Sequence, residues 1–457
     1  MDLEGVDEPL RLPVGVVEEE PDEGEAPDVR LRVAVGLPDL TVVGLPQFPP
    51  PPLGGRGPAP PLTSASLYLC QSLSVDMRSE RGGGVEAHSN QNCSIESNHA
   101  TRQKRMECLY FRLRGIVPDF LMARFNFDDQ IASEPEAVRD VIKRIDVPSL
   151  DRGRPLLFTG IGTSLHVCRV AAAWVSKLSG GRLRPPALEA HEFGLMGPIR
   201  PGDQIVVVSH RGTKTFPNMV LERARAMGAS TVLVTGFGVE HPLGDRVLRT
   251  CRDETASTHS VSYVTALAAL GLLVSAMLGE EGRELRTAIG DAPEAMKKTM
   301  ALPVPRPVVD KLASSVHILL TGFDLDEITA EEAALKLKEG AYVWAEGMST
   351  ELALHGTPAV FGPATDAITL VPAENDGGRT QALRGLLEEV GATVFSCGSG
   401  DEYDLRFAAV DPLARPLVSI IPLQRLTAEV ARVRGTNPDT THGDTEPWAS
   451  AIKRVRL

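Results

Sequence analysis

Lys336 and Glu339 stand three residues apart in the stretch EEAALKLKEGAYVWAEGMSTELALH (Glu331–His355), and His355 follows Glu339 by sixteen positions. Shifting a proton between adjacent carbons of a sugar needs a base, a cation to hold the enediol oxyanion, and an acid for ring opening. Glutamate, lysine and histidine are the residue types for those tasks. The same spacings also decorate ordinary solvated helices. Glu332 and Lys336 are an i,i+4 pair, and Lys336 and Glu339 an i,i+3 pair. Spacing alone leaves both readings open.

The elements that must carry these residues alternate strand and helix. Pro155–Thr159 (PLLFT), Gln204–Val208 (QIVVV) and Thr231–Thr235 (TVLVT) read as strands. Helical segments are expected over Leu165–Leu178, Pro217–Met227 and Tyr263–Leu278. Pro303, Pro305 and Pro307 read as a linker. The pattern then recurs: Val316–Thr321, a helix around Ala330–Val343, Ala367–Pro372, a helix over Thr380–Val390, Thr393–Ser396, and Leu417–Pro422 leading to a helix over Leu423–Arg434. Short β-rich runs between helices, with glycine at the turns, predict an α/β protein with parallel sheets covered on both faces, doubly wound and flavodoxin-like. The two similar series indicate an internal duplication.

Ligands of doubly wound sheets bind beyond the carboxyl ends of the strands, and two loops there have anion chemistry. Gly162-Thr163-Ser164 joins a strand to a helix, offering hydroxyls and free N–H groups. Ser209–Thr215 (SHRGTKT) offers Ser209, Thr213 and Thr215, a flexible Gly212, the cations Arg211 and Lys214, and His210. The plainer reading is that Ser164 and Thr215 cap helices. Both loops at the ends of adjacent parallel strands favour a phosphorylated ligand. A dinucleotide fingerprint is not met, because Leu165 occupies the place of its third glycine.

The 457-residue chain has room for a large core, and 42% of its residues are hydrophobic. Its net charge of −13 argues against general nucleic-acid binding. The six cysteines lack metal-ligand spacing. Cys168, Cys251 and Cys397 read as buried thiols, which suits a cytoplasmic setting. No secretory signal pattern opens the chain, and the apolar stretch Tyr263–Gly279 reads as a buried helix, so no membrane partner is expected. Residues 1–121 have weak periodicity and a proline-rich tract (Pro46–Pro61), the composition of a disordered extension, and Met122 is expected as the physiological start.

Residues from about 130 to 457 resemble the SIS (sugar isomerase) domain family, and more closely the tandem isomerase half of the glutamine–fructose-6-phosphate aminotransferases. Gly162-Thr163-Ser164 is similar to that family's GTS loop, and Ser209–Thr215 to its S-x-S-G-x-T phosphate loop. ALKLKE (Ala334–Glu339) and Leu354-His355-Gly356 resemble its signature motifs. AIKRVRL (Ala451–Leu457) is similar to its tail, and IASEPE (Ile131–Glu136) to its lead-in. The resemblance implies two tandem SIS domains, over 122–302 (with an N-terminal helix) and 308–457. It implies that Thr163, Ser164, Ser209 and the neighbouring loop hold a phosphate, and that Glu339 is the base. Lys336 would stabilise the enediolate, His355 would open the ring from a partner subunit, and Lys453 would meet the open-chain sugar. Burial in a closed dimer site would strengthen Glu339 as a base.

No cofactor and no metal are implied; the expected partners are a small phosphosugar and a second copy in a homodimer. The family's second loop serine is Arg211 here, its loop threonine aligns with Lys214, and its lysine after V-A-S-T is read as Val261. No cysteine follows Met1 or Met122, so glutamine hydrolysis is not expected. The expected function is aldose–ketose isomerisation, or isomerisation with deamination, of a hexose 6-phosphate such as fructose-6-phosphate or glucosamine-6-phosphate. A binding or regulatory protein without turnover, and a subunit partnered by a separate glutaminase, are the competing readings.

Overall fold

The structure is a computed structural model that describes residues 124–252 and 254–455. The expectations for residues 1–121 and for Met122 lie outside the described residues. Helix α1 (Asn126–Arg144) precedes the first lobe: β1 (Leu156–Gly160), α2 (Thr163–Leu178), β2 (Ala187–Glu189), α3 (Ala190–Met196), β3 (Gln204–Val208), α4 (Thr215–Met227), β4 (Ser230–Thr235), β5 (Arg246–Arg249) and α5 (Val261–Leu278). Helices α6 (Arg283–Met300) and α7 (Arg306–Ala313) lead to the second lobe. It comprises β6 (His317–Gly322), α8 (Leu325–Ala341), β7 (Trp344–Ser349), α9 (Thr350–Leu354), β8 (Asp366–Leu370), α10 (Arg379–Glu389), β9 (Thr393–Gly398), β10 (Leu405–Arg406), α11 (Arg415–Val418) and α12 (Ile420–Arg434). Helix α13 (Trp448–Val455) forms the tail.

Each lobe is one five-stranded sheet, ordered β2-β1-β3-β4-β5 and β7-β6-β8-β9-β10. Every strand pair is parallel. The two orders are the same when strands are matched one to one, which agrees with duplication and with the flavodoxin-like arrangement. In that order the chain reverses its winding at β1/β3, the place where ligands bind. The duplication reaches the backbone angles. Gly162 precedes α2 at φ 54°, ψ −127°, and Asp324 precedes α8 at φ 60°, ψ −124°. That region is open to glycine and strained for aspartate.

The central strands are Val- and Ile-rich because both faces are buried; β3 has no exposed residue. Helix α5 is apolar all round, with every residue but Ala276 buried, as befits a helix wrapped by others. The helical stretch Val261–Met300 is long and apolar enough to cross a membrane, but 94% of its most apolar window is buried inside the fold. Trp174 of α2, Leu270 of α5, Leu320 of β6 and Leu426 of α12 belong to one apolar cluster that runs through both sheets. Trp174 Nε1 donates to the Leu413 carbonyl at 2.9 Å. Cys168, Cys251 and Cys397 are buried free thiols, as expected.

Some expected boundaries move. Pro307 opens helix α7 instead of lying in a linker, since proline is welcome in a first turn. Leu417–Pro422 is itself helical and wholly buried; a short apolar run does not reveal its period. The helix expected at Ala330 begins at Leu325, under an acidic first turn (Asp326, Glu327), and Tyr342 ends it in the left-handed region at φ 52°.

Both site-facing strands, β1 and β6, end in a glycine against the next helix. A Cβ on Gly160 would lie 2.7 Å from the Ser164 backbone, and one on Gly322 would lie 2.2 Å from the Asp326 carbonyl oxygen. Gly160→Ala and Gly322→Ala should therefore each lower unfolding stability by about 1–3 kcal/mol, read as a reduced urea midpoint; unchanged midpoints would contradict these packing distances.

Candidate active site

Helix α8 presents Glu332, Lys336 and Glu339 on one face. The solvated-helix reading fails here, because Lys336 and Glu332 are both 0% exposed. The Lys336 Nζ donates to Glu339 Oε2 at 2.7 Å and to Thr163 Oγ1 at 3.1 Å, and lies 3.4 Å from Glu332 Oε1. Thr163 Oγ1 donates to Glu332 Oε1 at 3.0 Å, and the His166 Nδ1–H donates to Glu332 Oε2 at 2.6 Å. Burial disfavours the Lys336 ammonium, yet Glu332 and Glu339 outweigh it and hold its pKa above the ordinary lysine value. Burial likewise pushes the Glu332 carboxyl up, and Lys336 with His166 more than reverses that, so its pKa falls below the usual value. The cluster spans the lobes, because Thr163 and His166 belong to the first turn of α2.

The loops beyond β1 and β3 adjoin, since these strands pair directly. The capping role for Ser164 and Thr215 is not realised. The N-caps are Gly162 and Lys214, and neither helix start carries a side-chain cap bond. Ser209 Oγ is buried without a hydrogen-bond partner, an unmet cost unless a ligand meets it. Gly212 adopts φ 61° with Val239 packed against it, and Asn218 Nδ2 donates to its carbonyl at 3.0 Å. Thr235 Oγ1 donates to the carbonyls of Ser209 and His210, at 2.7 and 3.1 Å. Arg211, Thr213, Lys214 and Thr215 are exposed at the tip. Partial burial, then the neighbouring Arg211, pulls the Lys214 pKa below the ordinary value.

A small cavity links the two loops, lined by Thr163, Ser164, His210, His259, Ser262 and Tyr263 among others. The His210 and His259 rings meet edge to face with centroids 5.5 Å apart. Burial first, then Lys336, His210, Arg211 and Lys214, pulls His259 from the ordinary histidine value down to about 2. Those causes place the cations of α8 and of the β3 loop around one space. Val261 is buried at the start of α5, whereas His259, immediately after Ala256-Ser257-Thr258, faces the cavity. Glu254 fixes this segment, accepting from Ser260 N at 2.8 Å and Ser262 N at 2.6 Å. Gln130 of α1 binds Glu254, and Gln130 Oε1 accepts from Ala256 N at 2.7 Å.

Two expected residues stand outside this cluster. The His355 side chain is 72% exposed at the end of α9, where its Nε2 meets Glu351 Oε1 at 2.7 Å; Arg379 Nε also donates to Glu351, at 2.6 Å. Lys453 is exposed on α13. The tail is tied to the end of α8 by a ring stack, with His442 lying 3.8 Å from Tyr342 and 4.4 Å from Trp448 by centroids. Glu339 is half-buried and ion-paired, not enclosed. Glu332, His166 and Glu254 were not legible as site residues, because their roles arise from contacts distant in sequence.

Two lobes of the same strand order are thus joined over a hydroxyl loop, a cationic loop and a buried Glu-Lys-Glu face. The chain carries a SIS domain, matched over residues 150–276, and is homologous to the isomerase half of the glutamine–fructose-6-phosphate aminotransferases. The glutamine–fructose-6-phosphate aminotransferase [isomerizing] of Leifsonia xyli is 28% identical over 346 residues, 68% of this chain and 56% of the relative. That of Streptomyces coelicolor is 28% identical over 351 residues, with the same shares. The chain thus spans 56% of the length of these relatives. Among solved structures, the C-terminal domain of glucosamine-fructose-6-phosphate aminotransferase from Francisella tularensis superposes with a TM-score of 0.61 at 19% identity, covering 70% of this chain and 99% of that one. A glucosamine-6-phosphate deaminase from Thermotoga maritima gives 0.57 at 21% identity, covering 69% and 97%. These superpositions establish the fold.

The low pKa of His259 has a stability consequence. The unfolded chain takes up a proton near pH 6.5 that the folded chain takes up only near 2. Stability from this group is therefore complete above about pH 6.5 and falls on acidification by up to about 1.4 kcal/mol per pH unit. Urea unfolding between pH 7 and pH 5 should show this loss in the wild type and a flatter profile in His259→Asn. Parallel profiles would remove the assignment.

Proposed function

We propose that the protein is a phosphosugar isomerase, interconverting an aldose and a ketose 6-phosphate of the fructose-6-phosphate or glucosamine-6-phosphate type, with or without release of ammonia. The observation that carries this reading is the buried Lys336, held by Glu332 and Glu339 and bonded to Thr163 of the loop after β1. It joins the proton-transfer face to the anion loops. The curated relatives' names describe isomerising sugar-phosphate enzymes, and the solved neighbours include a tagatose-6-phosphate ketose/aldose isomerase from Escherichia coli, with a TM-score of 0.53.

In this reading the phosphate sits on Thr163, Ser164, the unpartnered Ser209 hydroxyl and the exposed Arg211 and Lys214, with the first-turn N–H groups of α2 and α4 adding donors. Glu339 removes the proton from one of C1 and C2 and returns it to the other. Lys336, already charged, stabilises the oxyanion that develops between the steps. His259, neutral near pH 7, can accept or donate a hydrogen bond to a sugar hydroxyl without adding charge. His355 is exposed and turned to solvent, so it serves ring opening in a second copy of the chain, and the site is completed by a homodimer. Lys453, on the tail helix, serves the open-chain sugar in this reading. The surface placement of His355 and Lys453 also favours one competing reading, a sugar-phosphate binding protein without turnover.

Deuterium exchange at C1 and C2 of fructose-6-phosphate or glucosamine-6-phosphate, followed by NMR, decides between them. Glu339→Gln should lower exchange by on the order of a thousandfold or more while the phosphosugar still binds. No exchange in the wild type with either sugar would reject the isomerase, and exchange at the wild-type rate in that variant would reject Glu339 as its base. Mixing inactive Glu339→Gln with inactive His355→Asn should restore about a quarter of wild-type activity, because half the dimers then hold one intact site. No recovery would place His355 in its own subunit's site or outside the reaction.

A further inference from the structure

Five arginines, Arg152, Arg154, Arg182, Arg184 and Arg200, surround a cavity of about 410 Å³ at the amino-terminal end of the first sheet. Its floor is apolar, formed by Leu156, Leu183, Met277 and Pro186 among others. The volume lies within the range of small-molecule sites, about 300–1,000 Å³. The cavity is separate from the candidate active site. Leu156 opens β1 and Arg200 precedes β3, whereas the anion loops leave the far ends of the same strands. Five residues of strand put roughly 15 Å between the two.

The cationic charge here is not neutralised from within. Glu281 is shared by Arg152 and Arg182, at 2.8 and 2.7 Å. Asp151 and Asp203 also line the cavity, but each turns a carboxylate oxygen to a backbone N–H, of Gly153 and of Arg200 respectively, both at 2.8 Å. Arg154 is engaged within the fold, its Nε donating to the Gly202 carbonyl at 2.7 Å and its Nη2 to the Asp203 carbonyl and Ser230 Oγ, both at 3.2 Å, whereas Arg184 has only its Nε bonded, to the Gly181 carbonyl at 3.0 Å. Among the described residues no carboxylate forms an ion pair with Arg154, Arg184 or Arg200. On a chain of net charge −13, such a gathering of guanidinium groups is a local positive patch that draws anions. Guanidinium groups match phosphate oxygens in paired hydrogen bonds. The apolar floor beside them suits a flat ring.

We propose that this cavity binds a nucleoside diphosphate, with the diphosphate on Arg184 and Arg200 and the base on the leucine, methionine and proline floor. The site is independent of the isomerase chemistry, and it stands or falls without it.

Calorimetric titration of the full chain with ADP, GDP, CDP, UDP and inorganic pyrophosphate tests it. At least one nucleotide should bind the wild type on the order of tenfold more tightly than pyrophosphate, because only the nucleotide uses the floor. Arg184→Glu with Arg200→Glu, or the milder pair of alanine substitutions, should weaken that binding tenfold or more, with an unchanged melting temperature in the absence of ligand. Arg211→Ala with Lys214→Ala, in the loop after β3, should leave it intact. The proposal is overturned if no nucleotide binds, if pyrophosphate binds as tightly, or if affinity is lost in the loop variant and kept in the arginine variant.

Discussion

An ammonium without solvent contact is tenable only if carboxylates surround it, and Lys336 sets that condition for the whole molecule. Its charge must be met by Glu332 below and Glu339 beside it, or burial would discharge it. Glu332 in turn needs Thr163 and His166 from the opposite lobe. One buried charge thus locks the first turn of α2 against the middle of α8, and the two lobes cannot part without leaving a charge stranded. Arg169 strengthens the seam by binding Glu331 and, at 3.0 Å, Glu327. Lys177 extends it to Asp324.

The two lobes share a strand order but differ in what their strand-end loops carry. In the first lobe the loops after β1 and β3 carry hydroxyls and cations. The corresponding loops of the second lobe carry Asp324, Asp326 and Glu374 around a small cleft with Arg415. Arg415 is consumed by Asp326 in a buried two-pronged pair, at 2.6 and 3.1 Å. The carboxylates would repel a phosphate. The two lobes thus share one scaffold and differ in the charge at their strand ends, and in the second lobe that charge holds α8 in place.

The segment after β5 shows how a site is tuned by elements far from it. Glu254 ties down the start of α5, and α1 binds Glu254 through Gln130. Helix α1 therefore bears on the ligand cavity without touching it. The cavity it supports holds two histidines, His210 and His259, one of which is kept neutral by burial and by the surrounding cations. Such a pocket sets uncharged hydrogen-bonding groups beside the cations of Arg211 and Lys214 at its rim.

The sequence by itself determined the alternation of strands and helices, the two anion loops and the Lys336–Glu339 face, because each is written in short-range patterns: β-branched runs, glycine at strand ends, helical spacing. It could not tell a solvated charge pair from a buried one, nor show that His259 lines the cavity, since burial and orientation depend on what packs across the other lobe. Tertiary structure alone decided that Lys336 is enclosed, that Glu332 is shared between lobes, and that His355 and Lys453 stand at the surface. It also gathered arginines from positions 152 to 200 around one cavity. Electrostatic strength depends on distance through space and on exclusion of water, and neither quantity follows the order of residues along the chain.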